Sequence, residues 1–146
     1  MLVGSSPALD RLRSAAARVA AGNAKVLITG ESGVGKDLIA RFIHARSPRA
    51  DRQFVAVNCA GVAETLLESE LFGHVKGSFT GAHRDKVGLF QQGHRGTVFL
   101  DEVGEMSLRM QAMLLRFLES GEVKPVGADL VSAKVDVRVI AATNRS

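Results

Sequence analysis

The chain has 146 residues, a formal net charge of +4 at pH 7 and 46% hydrophobic residues, enough for one domain to bury its own core, which argues against disorder or a disulfide-stapled scaffold. Its one cysteine, Cys59, cannot form an internal disulfide. No run of about 18 apolar residues and no charged-then-apolar leader marks membrane insertion or export, so a reducing cytoplasm is the expected location. So small a charge excess reads as solvated surface, not as a nucleic-acid footprint.

In chain order, SSPALDRLRSAAARVAAGN reads as a helix with Leu9, Leu12, Ala16 and Val19 on its buried face, Pro7 in its first turn and Gly22 as its stop. KVLIT (25 to 29) is expected to be a fully buried strand. DLIARFIHARS follows as a helix ending before Pro48, then FVAVN (54 to 58) as a second strand and AETLLESELFG as a helix. A polar, glycine-punctuated loop leads to a third strand, GTVFLDE (96 to 102). SLRMQAMLLRFLES is a helix with Met106, Met110, Met113, Leu114 and Phe117 on one side, and VDVRVIAATN (135 to 144) is a fourth strand. Strands alternating with helices of these lengths predict an α/β fold, a parallel sheet covered on both faces.

Between the first strand and the second helix stands GESGVGKD, whose Gly30, Gly33, Gly35 and Lys36 fit G-x-x-x-x-G-K. Glycines at these spacings let consecutive backbone N–H groups turn inward around phosphate oxygens, the helix N-terminus adds positive potential, and Lys36 reaches the terminal phosphates. Asp37 stands where Ser or Thr ordinarily offers a hydroxyl to the metal. VFLDE supplies the other half of such a site. Asp101 and Glu102 fall at the carboxyl end of a buried strand, where one acid can hold Mg2+ through its water shell and the next can polarise an attacking water.

Together these stretches resemble, over almost the whole chain, the AAA+ central domain of bacterial enhancer-binding proteins, the activators of RNA polymerase carrying sigma-54. That family's phosphate loop commonly has an acid after the lysine, and its hallmark GAFTGA loop is matched by GSFTGA at residues 77 to 82. The resemblance implies a P-loop NTPase of three α-β-α layers, with residues 1–146 forming a partial AAA+ domain that stops before a fifth strand and helical lid. Regulatory and DNA-binding domains would lie elsewhere. The implied activity is Mg2+-dependent ATP hydrolysis in a homo-oligomeric ring, a hexamer or heptamer, coupled to remodelling of the polymerase–sigma-54 closed complex. DNA is reached only through a separate domain, no membrane is involved, and this chain alone is expected to be a poor ATPase.

By the same resemblance, Gly30, Glu31, Ser32, Gly33, Val34, Gly35, Lys36 and Asp37 bind the nucleotide, Asp101 organises magnesium and Glu102 primes water. Asn58 is the switch asparagine that holds Glu102 aside, and Asn144 in IAATN senses the terminal phosphate. Gly77, Ser78, Phe79, Thr80, Gly81 and Ala82 form the lever: the glycines are hinges, Phe79 offers apolar area and Thr80 a hydroxyl to sigma-54, and Ser78 replaces the commoner Ala. GEVKPVGADLVSAKVDV (121 to 137) corresponds to a second surface insertion that supports the lever. Two other functions compete: a nucleotide- and partner-binding module without turnover, and a small-molecule kinase, which shares the phosphate loop but explains neither GSFTGA nor the pairing of VFLDE with IAATN. His44, His74, His83 and His94 have no metal-ligand spacing and read as surface or loop residues, while Cys59 reads as a small buried filler. The VLIT strand is further expected to lie at an open, apolar sheet edge that another copy could cover.

Overall fold

The computed structural model describes residues 7–30 and 34–144. Helix α1 (Pro7–Ala21) leads into strand β1 (Val26–Thr29), helix α2 (Val34–Ala45) and strand β2 (Phe54–Asn58). Helix α3 (Glu64–Phe72) then passes into a small antiparallel pair, β3 (Gly73–His74) and β4 (Lys86–Val87), with residues 75–85 between them. The short α4 (Leu89–Gln92), strand β5 (Thr97–Asp101), helix α5 (Leu108–Ser120), the two-residue strands β6 (Glu122–Val123) and β7 (Ala133–Lys134), and strand β8 (Arg138–Thr143) complete the chain.

Four strands form one parallel sheet in the order β1-β8-β5-β2, so the crossover from β1 through α2 to β2 spans two strands that arrive later in sequence. On one face Ala16 and Ala20 of α1 and Ala40 and Ile43 of α2 meet Phe99, Ile140 and Ala142. The other face packs Val98, Leu100 and Val139 against Leu67, Leu71, Phe90, Met110, Leu114 and Phe117 from α3, α4 and α5. This is the three-layer α/β arrangement that the alternating pattern predicts.

Three expectations are corrected. On α1 Ala16 is buried as expected, but Val19 is 39% exposed and Ala20 takes the inward place, because small side chains let α1 close on α2 and the sheet; the side chains of Leu9 and Leu12 lie outside the described residues. The VLIT strand is half-buried: Val26 and Ile28 face α1 and α2, but Leu27 on the opposite face is 61% exposed, since that layer's core draws on β2, β5 and β8. The last strand begins at Arg138, not at residue 135, because the Val135 N–H is taken by the Gly121 carbonyl and the Asp136 carbonyl by Arg95 N–H.

Helix α5 shows how local sequence sets an element. Ser107 caps it by accepting the Met110 N–H at 3.1 Å, and Gly121 ends it in the left-handed region at φ 72°. Met110, Leu114 and Phe117 are buried, as the helical period predicts.

Candidate active site

All four strands of the sheet run parallel, so their carboxyl ends gather on one side, and there the chemistry-bearing residues collect. β1 ends at Thr29, which pairs with Thr143 at the end of β8, and Asn58 at the end of β2 pairs with Asp101 at the end of β5. Gly30 follows β1, Glu102 follows Asp101, and the exposed Asn144 follows Thr143.

Lys36 lies in the first turn of α2 and is only 5% exposed. Its Nζ is buried without a hydrogen-bond partner among the described residues and lies 3.9 Å from Glu102 Oε1. The Glu102 carboxylate offsets the charge at that distance but takes none of the ammonium's three donors in a hydrogen bond, so the group is poised for a closer anion. Gly30 backs the same side chain, for a Cβ there would stand 4.0 Å from Lys36 Cε.

Glu102 adopts φ 59°, ψ 49°, a left-handed conformation unusual for a residue with a side chain. Such strain is of order 1–3 kcal/mol and persists where surrounding structure enforces it. Here it turns the chain out of β5 so that the Glu102 carboxylate comes under Lys36, while Asp101 remains in the ladder with its carbonyl accepting the Cys59 N–H at 2.9 Å.

Asp37 is turned along α2 to Arg41, Oδ2 accepting from Nε at 3.0 Å, and the Arg41 guanidinium also lies over the Phe54 ring at 4.8 Å. The positive partner offsets the repulsion that an acid beside a phosphate loop would create. Asn58 is exposed and its Oδ1 accepts the Ala60 N–H at 2.8 Å, a turn-forming bond that leaves its amide NH2 out of that bond and one ladder position from Glu102. Glu31, Ser32 and Gly33 lie outside the described residues, as does the Val34 side chain; the Val34 backbone opens α2 and Gly35 is exposed.

The residues present fit a magnesium nucleotide. The orphaned ammonium suits phosphate, and Asp101 with Glu102 offers the oxygen donors that magnesium prefers. Among the described residues no three His, Cys, Asp or Glu side chains converge on a metal site. Cys59 is buried, and burial together with the Asp101 charge pushes its thiol up to about 12, so it is no nucleophile.

The GSFTGA segment lies apart from this cluster, between β3 and β4. Gly77 and Gly81 adopt φ 81° and 97°, as hinge glycines require, and the Gly77 N–H donates to the Ala82 carbonyl at 2.8 Å to close a compact loop. Thr80 is exposed and Ala82 buried. Phe79 is half-buried, its ring edge-on to His74 at 5.0 Å between centroids. The second insertion meets the loop at its base, where Val126 bridges His74, the Val75 N–H donates to the Val126 carbonyl at 3.1 Å and the Val126 N–H to the Gly73 carbonyl at 2.9 Å.

Two histidines do more than the sequence signals. His44 is buried, with Nε2 donating to the Arg52 carbonyl at 3.0 Å and Nδ1 accepting from Thr97 Oγ1 at 2.8 Å. His74 joins Ser69 Oγ at 2.5 Å and the Arg84 carbonyl at 2.9 Å. The stripe Ala40, Ile43 and His44 along α2, continued by Ser47 just beyond it and all buried, is the signal that places His44 inward.

A glycine turn between strand and helix, a shielded lysine and two acids ending a strand two places away define the class of phosphate-loop α/β proteins. A family profile described as the Sigma-54 interaction domain matches residues 2–146, and the chain belongs to that family. It is 54% identical over 145 residues to a Nif-specific regulatory protein of Azotobacter vinelandii and 53% identical over 144 residues to an anaerobic nitric oxide reductase transcription regulator NorR of Aeromonas salmonicida. Each alignment covers 99% of this chain and 28% of the relative, so the chain spans well under a third of these regulators. Crystal structures of NtrX from Brucella abortus superpose on it with TM-scores of 0.88 for one and 0.86 for a complex with ATP, at 41% and 42% identity. Those alignments cover 99% of this chain and 31% and 32% of NtrX.

Proposed function

We propose that this chain is the ATP-binding and hydrolysing core of a sigma-54-dependent transcription activator, which uses the GSFTGA loop to remodel the closed complex of RNA polymerase. The observation that carries the reading is the buried Lys36 Nζ at the carboxyl edge of the sheet, which faces Glu102 at 3.9 Å and makes no hydrogen bond among the described residues.

In this reading Lys36 and the amides of residues 30–37 take the phosphates of ATP. Asp101 would hold the magnesium ion, which would supply positive charge to offset that of the phosphates. Once Lys36 is engaged by phosphate, the Glu102 carboxylate is free to accept a proton from the attacking water. In the same reading Asn58, which pairs with Asp101 in the ladder, holds or releases Glu102, and Asn144, which follows the end of β8, hydrogen-bonds the terminal phosphate. Phe79 and Thr80 present the contact to sigma-54. Magnesium dependence, assembly into a homo-oligomeric ring, weak turnover by this chain alone and a cytoplasmic location belong to the same proposal. The longer relatives, and NtrX crystallised with ATP, support it.

Calorimetric titration with MgATP tests the first step. The parent chain takes up nucleotide and Lys36→Ala loses uptake by at least about a hundredfold, the scale of a charge-assisted contact removed from a shielded site. Equal uptake by both overturns the assignment. The lever is tested by Thr80→Ala in the activator that carries this domain: open complexes formed per ATP hydrolysed should fall to near background, and an unchanged yield rejects it.

A further inference from the structure

The loop that carries Phe79 is seated on the second insertion, and Ser78 is where the two surfaces meet. Gly127, at φ 82°, lies so close that a Cβ on it would stand 2.4 Å from Ser78 Cβ and 3.0 Å from Val75 Cγ2. The seat therefore requires glycine at 127, both for its backbone and for its space. Ser78 satisfies its own N–H by donating to the Val75 carbonyl at 3.2 Å, but its hydroxyl is shielded from solvent and finds no hydrogen-bond partner among the described residues.

A shielded hydroxyl without a partner loses its water and gains nothing in return, so it disfavours the state that buries it. We propose that Ser78 is the release element of this loop. Its hydroxyl makes the seated loop less stable than an alanine would, and lifting the loop off Gly127 returns the hydroxyl to water. The remaining seat contacts pull the other way: the Val126 backbone pairs with Gly73 and Val75, and Phe79 rests on a His74 ring held by Ser69 and the Arg84 carbonyl. Ser78 thus sets the position of an equilibrium between a seated and a raised loop, and its consequence for sigma-54 contact rests on the function proposed above.

Hydrogen exchange at the Val75 and Val126 amides reads the seat directly, because both bond across it and neither adjoins position 78. Ser78→Ala should slow exchange at both about tenfold by removing the unsatisfied group. Gly127→Ala, which forces a Cβ into the contact, should speed exchange at both by at least that factor. Rates within about twofold of the parent in Ser78→Ala, faster exchange in that variant, or a Gly127→Ala that exchanges like the parent would each overturn the proposal. Retention by sigma-54 is a separate measurement. Its failure counts against the proposed partner and leaves the exchange result standing.

Discussion

Glu102 is the residue on which geometry and chemistry bear together. Its left-handed backbone is unfavourable by itself, and what it achieves is a carboxylate 3.9 Å from the Lys36 ammonium with Asp101 still in the ladder. Glu102→Ala removes the water-priming group while leaving the phosphate cradle, so MgATP affinity should stay within a few-fold while single-turnover hydrolysis in the assembled activator drops by about a hundredfold or more. Rapid quench measurements check this, and hydrolysis at the parent rate would take Glu102 out of the reaction. Asp101 and Glu102 were legible as a pair because a charged end on a buried apolar strand has to face something. The direction of the Glu102 side chain was not, since it depends on a φ that no local pattern prescribes. Asn58 shows the same division: its place beside the acids follows from the strand end, but its bond to the Ala60 N–H is a product of the turn.

Helix α2 joins the site to the core through groups on its inner side. Lys36 is at its first turn, and His44 at its last turn fixes it to β5 through Thr97 and to the following loop through the Arg52 carbonyl. Burial pushes the His44 imidazole below its ordinary value of 6.5, the Arg52 carbonyl opposes this, and the Arg138 charge adds to the lowering. A histidine whose folded pKa is depressed stabilises the fold fully above 6.5, and that contribution is lost as pH falls through 6.5 toward the folded value. The thermal midpoint should therefore decline below about pH 6.5, and His44→Gln should flatten that decline while lowering the midpoint overall. Melting curves across this range check the sign; an unaltered slope would remove His44 from the account. Helix α1 is tied down in a comparable way. Buried Arg138 donates to the carbonyls of Val19, Ala20 and Ala24, placing positive charge at the helix C-terminus, where the helix dipole favours it. An arginine inside an otherwise apolar strand signals that partners exist, but which carbonyls they are depends on how α1 crosses the sheet.

Across the whole molecule, β1 is an outer strand of the four-stranded sheet and Leu27 is left exposed. Nothing among the described residues pairs with its outer side, and an unpaired, apolar parallel edge invites association. The chain should associate with rising concentration, and Leu27→Lys should shift that association to higher concentration by about tenfold by placing a charge beside the edge. Sedimentation velocity checks this; a monodisperse monomer at high concentration counts against the idea. Among the described residues no helix is long and apolar enough to cross a membrane, and Arg41, Arg46, Arg49, Arg109 and Arg138 engage carboxylates, carbonyls, a side-chain amide or aromatic rings. A net charge of +4 is thus largely surface and bracing.

Residue order alone was enough for the parallel three-layer fold, for the break between β1 and α2 and for the acids at the end of β5, because hydrophobic period, turn glycines and strand-end charge are local signals that tertiary contacts rarely reverse. Folding together decided the rest: that Ala20 and not Val19 turned inward on α1, that His44 and Arg138 became struts, and that Ser78 came to rest on Gly127. These outcomes turn on how residues distant in sequence are brought within ångströms of each other, and no window of neighbouring side chains contains that distance.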